Sequence, residues 1–505
     1  MRLAGPDLLI LVLYFCCLAA VGYIFGRRER DTEDFFLGGR RIPWLAVCFS
    51  ILATELSALT FIGVPADAYQ ADHAYIQFAF GSMLGRLGIA FLFMPAFYGG
   101  RVTTVYEYLV QRFGAGTRNT ATLFFFVTRL LASGVRLFGA SIAVSVVTGW
   151  PIIPCIGLMA LFAMAYTGLG GIKAVVWTDV LQISVFLGGA VVAFFYLIGQ
   201  IPGGWQGMVE FAGPLGKLRA FDLSVSLSNP RILLVGLING GITTFAALGA
   251  DQDLAQRMLT TRQARQAQKS IILTGILDFP IVMLFLSIGT LLFAYYHFHP
   301  DPGLAGLASP DRIFPYFIVT RMPVGLRGLL IAGVLAAAMS STDSALGALS
   351  SSAIVDIYKP YIRKGASERH YLRASRWFVV LFAAFLMAIA VASRNTQGVL
   401  WLGLKIGSFT YGGLLGVFLL GTLVRRGSNL GNIIAMLSSV VVTLLIFGLE
   451  FLIHLFGLEF LLHYHIIEFL IQLSWPWIIV IGSAWTFVMG YLLDGLGKTA
   501  KARDG

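Results

Sequence analysis

Apolar runs of membrane-spanning length dominate the chain. They lie at roughly 6–26, 43–70, 74–99, 119–148, 151–168, 174–200, 230–256, 270–297, 325–357, 376–393, 397–423, 429–456 and 474–494. A helix needs about 20 apolar residues to cross the hydrocarbon core, and helices meet the bilayer's demand that every backbone polar group be satisfied. The pattern predicts an all-α integral membrane protein of about 13 transmembrane helices. Loops 201–229 and 298–324 carry Pro and Gly and are expected to form short caps over the bundle.

One run is unlike the others. Between Trp44 and Tyr69 the segment Ala53–Pro65 reads A-T-E-L-S-A-L-T-F-I-G-V-P, with Glu55, Ser57 and Thr60 at depth. Gly63 and Pro65 interrupt it; Pro65 has no N–H, so the carbonyl of Phe61 loses its helical partner. In hydrocarbon, freed backbone is tolerated where it lines a cavity or is buried in protein. Ala53, Leu56, Ser57 and Thr60 follow i, i+3, i+4, i+7 spacing and share a helical face. A polar face on a broken spanning helix suits a bound ion and its cargo; a kinked packing helix is the plain alternative.

Composition agrees with the membrane reading. Of 505 residues 57% are hydrophobic and 12% charged, about half the charge of a soluble domain. The net charge of +11 sits in short loops, so it reports topology rather than a nucleic-acid surface. Basic loops 27–42 (Arg27, Arg28, Arg30, Arg40, Arg41), 257–269 and 358–376 follow the first, seventh and ninth spans, and Lys498, Lys501 and Arg503 follow the last. All fall on one side, which places the C-terminus in the cytoplasm and the N-terminus outside. Cys16, Cys17, Cys48 and Cys155 lie in apolar runs and suggest no disulfide or metal framework. Leu8–Phe25 lacks a basic leader and a cleavage site and is read as a retained span.

Three further stretches carry polar groups inside spans. In Ala336–Ser344, A-A-A-M-S-S-T-D-S, the face Ala337, Ser340, Ser341 and Ser344 has Asp343 beside it. Such an oxygen-rich site suits a hard monovalent cation, although hydroxyls in helices also bond their own i−4 carbonyls. In Tyr166–Gln182 a new span begins near Lys173, with Asp179 two turns deeper; Asp179 is expected to meet a cation in transit rather than a buried base. Asp278 precedes Phe279 and Pro280 in another span. Arg129 and Arg136, seven apart, face one direction, and one of them could neutralise Asp278 or a substrate carboxylate. Asp251, Asp253 and Arg257 close their span and are expected to be mainly structural.

Ala53–Pro65, Y-E-Y-L-V-Q-R-F-G (106–114), G-G-I-K-A-V-V-W-T-D-V-L-Q (170–182), D-Q-D-L-A-Q-R (251–257) and Ala336–Ser344 resemble, in order, motifs of the sodium:solute symporter family. That family includes sodium-coupled sugar, proline, sialic acid, iodide and vitamin carriers. The resemblance implies a LeuT-type core of two inverted five-helix repeats, here 43–200 and 230–423. One extra helix (6–26) would precede the core and two (429–494) follow it. It implies a sodium site made of carbonyls of Ala53, Leu56 and Ala337 with hydroxyls of Ser340 and Ser341. A further sodium, bound by some members, would map to Asp179, Ser340, Asp343 and Ser344, but Asp343 stands where the sialic acid carriers have serine. Substrate contacts map to Ser57, Thr60, Ala79, Ser82, Thr244 and Asp278, with Arg136 as a carboxylate holder. Ala79 and Asp278 depart from the galactose carrier's pattern.

The implied function is symport of Na+ with a small organic solute, as a monomer, in the plasma membrane (a bacterial inner membrane). Glu55, Asp278 and Asp343 keep a proton-coupled variant open. An intramembrane aspartyl protease, with Asp179 and Asp278 sharing a proton, is the remote alternative, since no G-x-G-D sequence is present. The substrate is not legible.

Overall fold

The structure is a computed structural model that describes residues 4–26, 31–307, 309–395, 399–424, 426–448 and 473–495. Arg27, Arg28, Arg30, the end of the expected 429–456 span and the basic tail with Lys498, Lys501 and Arg503 lie outside the described residues. Among the described residues the regular elements are helices. The first are α1 (Gly5–Gly26), α2 (Thr32–Leu37), α3 (Trp44–Glu55), α4 (Ala58–Gln70) and α5 (Ile76–Gly88). A π-helical turn, Ile89–Phe93, joins α5 to α6 (Met94–Gly100), followed by α7 (Val105–Arg112), α8 (Ala115–Thr148), α9 (Ile152–Gln200) and α10 (Gly204–Ala212). Then come α11 (Leu233–Gly249), α12 (Gln252–Leu259), α13 (Ala264–Phe298), α14 (Ile313–Arg321) and α15 (Leu326–Ser352). The chain continues with α16 (Glu368–Ala392), α17 (Val399–Leu423), α18 (Asn429–Phe447) and α19 (Trp477–Leu492).

Among the described residues nine helices are long and apolar enough to cross a membrane, or up to eleven if two bent pairs count as spans. The expected count of thirteen is therefore not reached on length and composition. The other four expected spans are broken or short. They are α3 with α4, parted at Leu56–Ser57, the apolar helix Ile152–Met164, α11 with α12 (bent by 63°) and the helix Gly407–Leu423. The other bent pair is Thr32–Arg40 with α3 (113°). α15 forms the centre: the best window of its span is 94% buried, against 11% for α1 at the edge. The loops expected to form caps hold the short helices α10 and α14.

Three breaks shape the bundle. In α9 the chain kinks at Gly171 (φ 51°, ψ −166°), between the two spans expected on either side; only glycine adopts that conformation at little cost. The break expected near Gly63 and Pro65 is instead at Leu56–Ser57, where Leu56 leaves helical geometry (φ −79°, ψ 77°). Pro65 stays inside α4. Its backbone is covered by Gly289 of α13, where a Cβ would collide with the Pro65 carbonyl, and Phe61, whose carbonyl Pro65 frees, is fully buried in protein. A third break, within the run 230–256 expected to be continuous, falls at Ala250–Asp251. There the Asp251 carboxylate caps α12 by accepting from the Asp253 N–H.

α5 and α11 cross at close range on glycines. A Cβ at Gly81 would strike the Leu237 carbonyl, and one at Gly240 the Phe78 carbonyl. Small residues let helix backbones approach in membranes, where dispersion replaces the hydrophobic drive.

Candidate functional site

The break in the second span opens onto a cavity. Glu55 of α3, Leu56 and Ser57 of the break and Thr60 of α4 line it, with Tyr75 at the start of α5, Phe78 within α5, and Arg129 and Arg136 from α8. Thr243 and Thr244 of α11, Asp278 of α13 and Tyr411 of α17 complete the polar wall. Of the expected substrate residues, Ser57, Thr60, Arg136, Thr244 and Asp278 meet here. Ser82 stands behind the wall, its Oγ 2.6 Å from Thr244 Oγ1. Ala79 is buried and does not line the cavity.

Asp278 is neutralised by neither Arg129 nor Arg136. Its Oδ2 lies 3.4 Å from Nη1 of Arg86, whose Nη2 holds Glu55 Oε2 at 2.6 Å. Arg86 has a fully buried side chain and also reaches the Ser82 hydroxyl. Reading the sequence missed Arg86; the signal was a lone cation within a span, one turn after Ser82.

Arg129 turns to the break between α11 and α12. It pairs with Asp251 and, at 2.8 Å, with Asp253, while the Tyr411 hydroxyl donates to Asp251 at 2.8 Å. Arg129 is thus engaged by both carboxylates while it lines the cavity. Arg136, two turns along α8, lines the cavity, and its Nη1 is buried with no hydrogen-bond partner among the described residues. A buried donor without a partner is costly, so this guanidinium is a natural place for an anion.

The two polar faces named from the sequence meet below the cavity. Ser340 Oγ lies 2.7 Å from the Ala53 carbonyl and 3.2 Å from that of Ala337. Ser341 Oγ lies 3.2 Å from the Ala337 carbonyl and 3.4 Å from that of Thr54, which sequence reasoning had not included. Leu56, at the unwound end of α3, lies between this cluster in sequence and the cavity it lines. Carbonyls and hydroxyls with no nitrogen or sulfur form a donor set that suits a hard cation.

The positions matched to a further ion are arranged differently. Asp179 accepts from the Ser50 hydroxyl at 2.6 Å and pairs with Arg257 Nη2 at 3.1 Å. Arg257, fully buried, also donates to Ser50 Oγ at 2.8 Å, reaches Ser344 Oγ and lies 3.4 Å from Asp253. The Asp343 carboxylate accepts from the Ser344 N–H at 2.7 Å. Asp179 therefore meets a buried base, contrary to the cation-in-transit expectation: the new break in α11–α12 swings Arg257 inward to it. Asp179 and Asp278 belong to separate ion-pair clusters, so the shared-proton dyad of an aspartyl protease is not formed.

Comparisons with known proteins agree with this geometry. The family model described as the sodium:solute symporter family matches residues 35–439. The chain is 29% identical to the sodium/sialic acid symporter of Proteus mirabilis over 86% of this chain and 88% of that protein. It is 28% identical to the human sodium-coupled monocarboxylate transporter 1, over 84% of this chain and 70% of the relative. A solved sodium-coupled sialic acid symporter in a substrate-bound outward-open state superposes with a TM-score of 0.85 at 27% identity, covering 98% of each chain. The chain belongs to the sodium:solute symporter family: it is a multi-pass membrane transporter of LeuT-type fold that couples a small solute to Na+, and it is not an enzyme.

Proposed function

We propose that this symporter carries a small organic solute bearing both a carboxylate and a protonated amine, and that Na+ binds at the break of α3. The carboxylate is held by Arg136, the amine by Glu55 and Asp278. The observation that carries this reading is the charge arrangement of the cavity. Two carboxylates share the single guanidinium of Arg86, which leaves that cluster acidic, whereas Arg136 has no ion pair among the described residues and a buried Nη1 without a partner. Relatives named for sialic acid and monocarboxylates carry carboxylates, in keeping with a cation at Arg136.

Sodium is assigned to Ala53, Leu56, Ala337, Ser340 and Ser341. Its charge would stabilise the contact between α3 and α15 beside the solute, so ion and cargo bind cooperatively. No further sodium is assigned at Asp179 and Ser344, because Arg257 already supplies a positive charge to those oxygens. Inward movement of each positive charge through 100 mV contributes about 2.3 kcal/mol. We assign 43–200 and 230–423 to two inverted repeats, with 6–26 before and 429–494 after. The breaks at Leu56–Ser57 and Ala250–Asp251 fall in the first span of each, as discontinuous helices do in such transporters. Thirteen spans, a cytoplasmic C-terminus and a monomer in the bacterial inner membrane complete the proposal.

The test is uptake into proteoliposomes under a sodium gradient, with competition by a matched trio: an α-amino acid, its deaminated acid and its decarboxylated amine. The amino acid should compete best, and Arg136→Gln should abolish its advantage over the amine. Equal competition by the deaminated acid would remove the amine from the proposal. Glu55 and Asp278 in the cavity favour proton coupling as the second reading, which uptake driven by a pH gradient without sodium would establish.

A further inference from the structure

A groove far from the transport cavity lies where α16 emerges from the basic loop 358–376. Tyr358, His370, Arg373, Trp377, Phe378 and Leu381 line it, and it encloses about 550 Å³. Tyr358 belongs to the π-helical stretch Ala353–Ile362 that continues α15. Its hydroxyl lies 2.9 Å from His370 Nε2 and the two rings stack, which fixes the floor of the groove.

Arg373, Trp377 and Leu381 follow i, i+4, i+8 spacing and share one face of α16. Trp377 is 74% exposed and Leu381 46%. Along this face the chemistry changes from a guanidinium, through an amphipathic indole, to an aliphatic chain. That is the order of headgroup, interface and acyl region met by a spanning helix. Lys359 is engaged, 2.8 Å from Thr32 Oγ1 and 3.6 Å from Glu368. Arg373 has no hydrogen bond or ion pair among the described residues. The same stretch, 358–376, also carries Arg363, Lys364, Arg369 and Arg376, with Glu368 as its lone carboxylate.

We propose that this groove binds an anionic glycerophospholipid of the leaflet that faces the basic loops. The phosphate sits on Arg373, whose fork of donors matches its oxygens, and one acyl chain runs along Trp377 and Leu381. A neutral lipid fits the apolar part but leaves the guanidinium of Arg373 without a counter-charge. Because the floor is the continuation of α15, which carries Ser340 and Ser341, an occupied groove braces the end of the helix that contacts α3.

Native mass spectrometry of the delipidated full-length protein tests this, with phosphatidylglycerol and phosphatidylcholine of the same acyl chains as probes. Phosphatidylglycerol should bind more tightly, and Arg373→Gln should weaken it about fivefold, the share of one basic residue near an anionic surface. Adding Trp377→Leu should weaken it further. The pair Arg363→Gln with Lys364→Gln, basic but outside the groove, should retain the preference. Equal binding of both lipids, or equal loss from both sets of variants, would overturn the proposal. So would competition by free glycerol phosphate at the lipid's own concentration, since that would make the site a phosphate site. Arg373 is exposed and unpaired, so its single substitution is readable even if the double variant folds poorly.

Discussion

Replacing Arg86 by Met tests the electrostatics of the cavity most sharply. Met keeps much of the arginine stem and removes the guanidinium. That group has no exposed side-chain surface, holds Glu55 at 2.6 Å and Asp278 at 3.4 Å, and leaves two carboxylates uncompensated when lost. Breaking a buried pair from one side costs about 3–5 kcal/mol. Glu55 keeps 23% side-chain exposure in the cavity and Asp278 9%, so water relieves part of the penalty. The lower end, about 3 kcal/mol, is expected. Asp278→Asn alone removes the longer contact and should cost about 1 kcal/mol. In the double variant only Glu55 stays charged, and the losses should fall short of additivity by about 1–2 kcal/mol. Unfolding free energies of the purified protein, titrated in one fixed mixed micelle, read all three numbers. The reasoning fails if Arg86→Met lies within about 0.5 kcal/mol of the parent, or if the two substitutions simply add.

Three other outcomes are expected. Ser340→Ala removes a hydroxyl from the proposed ion site and should raise the sodium needed for half-maximal uptake about tenfold; an unchanged sodium curve at normal expression would argue against the assignment. Gly240→Ala puts a methyl against the Phe78 carbonyl, forcing α11 from α5 at a cost of about 1–3 kcal/mol and disturbing the 2.6 Å contact of Ser82 with Thr244. A full-strength melting transition in that variant would show that the crossing is looser than described. His73, in the turn between α4 and α5, is held below its ordinary 6.5 by burial, with the Asp72 charge offsetting part of the effect; its Nε2 lies 2.8 Å from Thr290 Oγ1. The folded state thus prefers the neutral ring and the unfolded chain takes up the proton first. The ring's contribution is complete above pH 6.5 and declines as pH falls below it. Thermal melts across that range should show a shallower acid-side loss for His73→Gln than for the parent.

What could be read from the sequence depended on how local the cause was. Length and composition identify spans, since the bilayer imposes both on each segment separately. The kink at Gly171 falls in the gap between the apolar runs 151–168 and 174–200, which composition separates. Helical spacing collects Ser340 and Ser341 on one face and Ala53 on another; that the two faces join in one oxygen cluster was implied by the family resemblance, not by the spacing. The break at Leu56–Ser57 carries no breaker of its own; Pro65, the local signal, drew attention nine residues too far along. Proline removes one hydrogen bond, and Gly289 lets α13 cover that spot, so the helix survives there. The unwinding at Leu56 must then be sustained by contacts of α3 with α15 and α13.

The charges show the same division more strongly. Arg129 and Arg136 have identical side chains on one face of one helix, and nothing in their immediate sequence separates them. A partner more than a hundred residues away does: Asp251 and Asp253 occupy Arg129, and nothing among the described residues reaches Nη1 of Arg136. Arg257 likewise acquires its role from the bend at Ala250–Asp251, which brings it to Asp179. An ion-pair network inside a membrane is a matching problem. Each buried charge needs a counter-charge, and the assignment minimises what is left over. Here the matching leaves Arg136 without an ion pair among the described residues, and leaves two carboxylates on one guanidinium at Arg86, both at the same cavity. A solute that supplies the missing partners completes the network, which is why the leftover charges, more than any motif, point to what is carried.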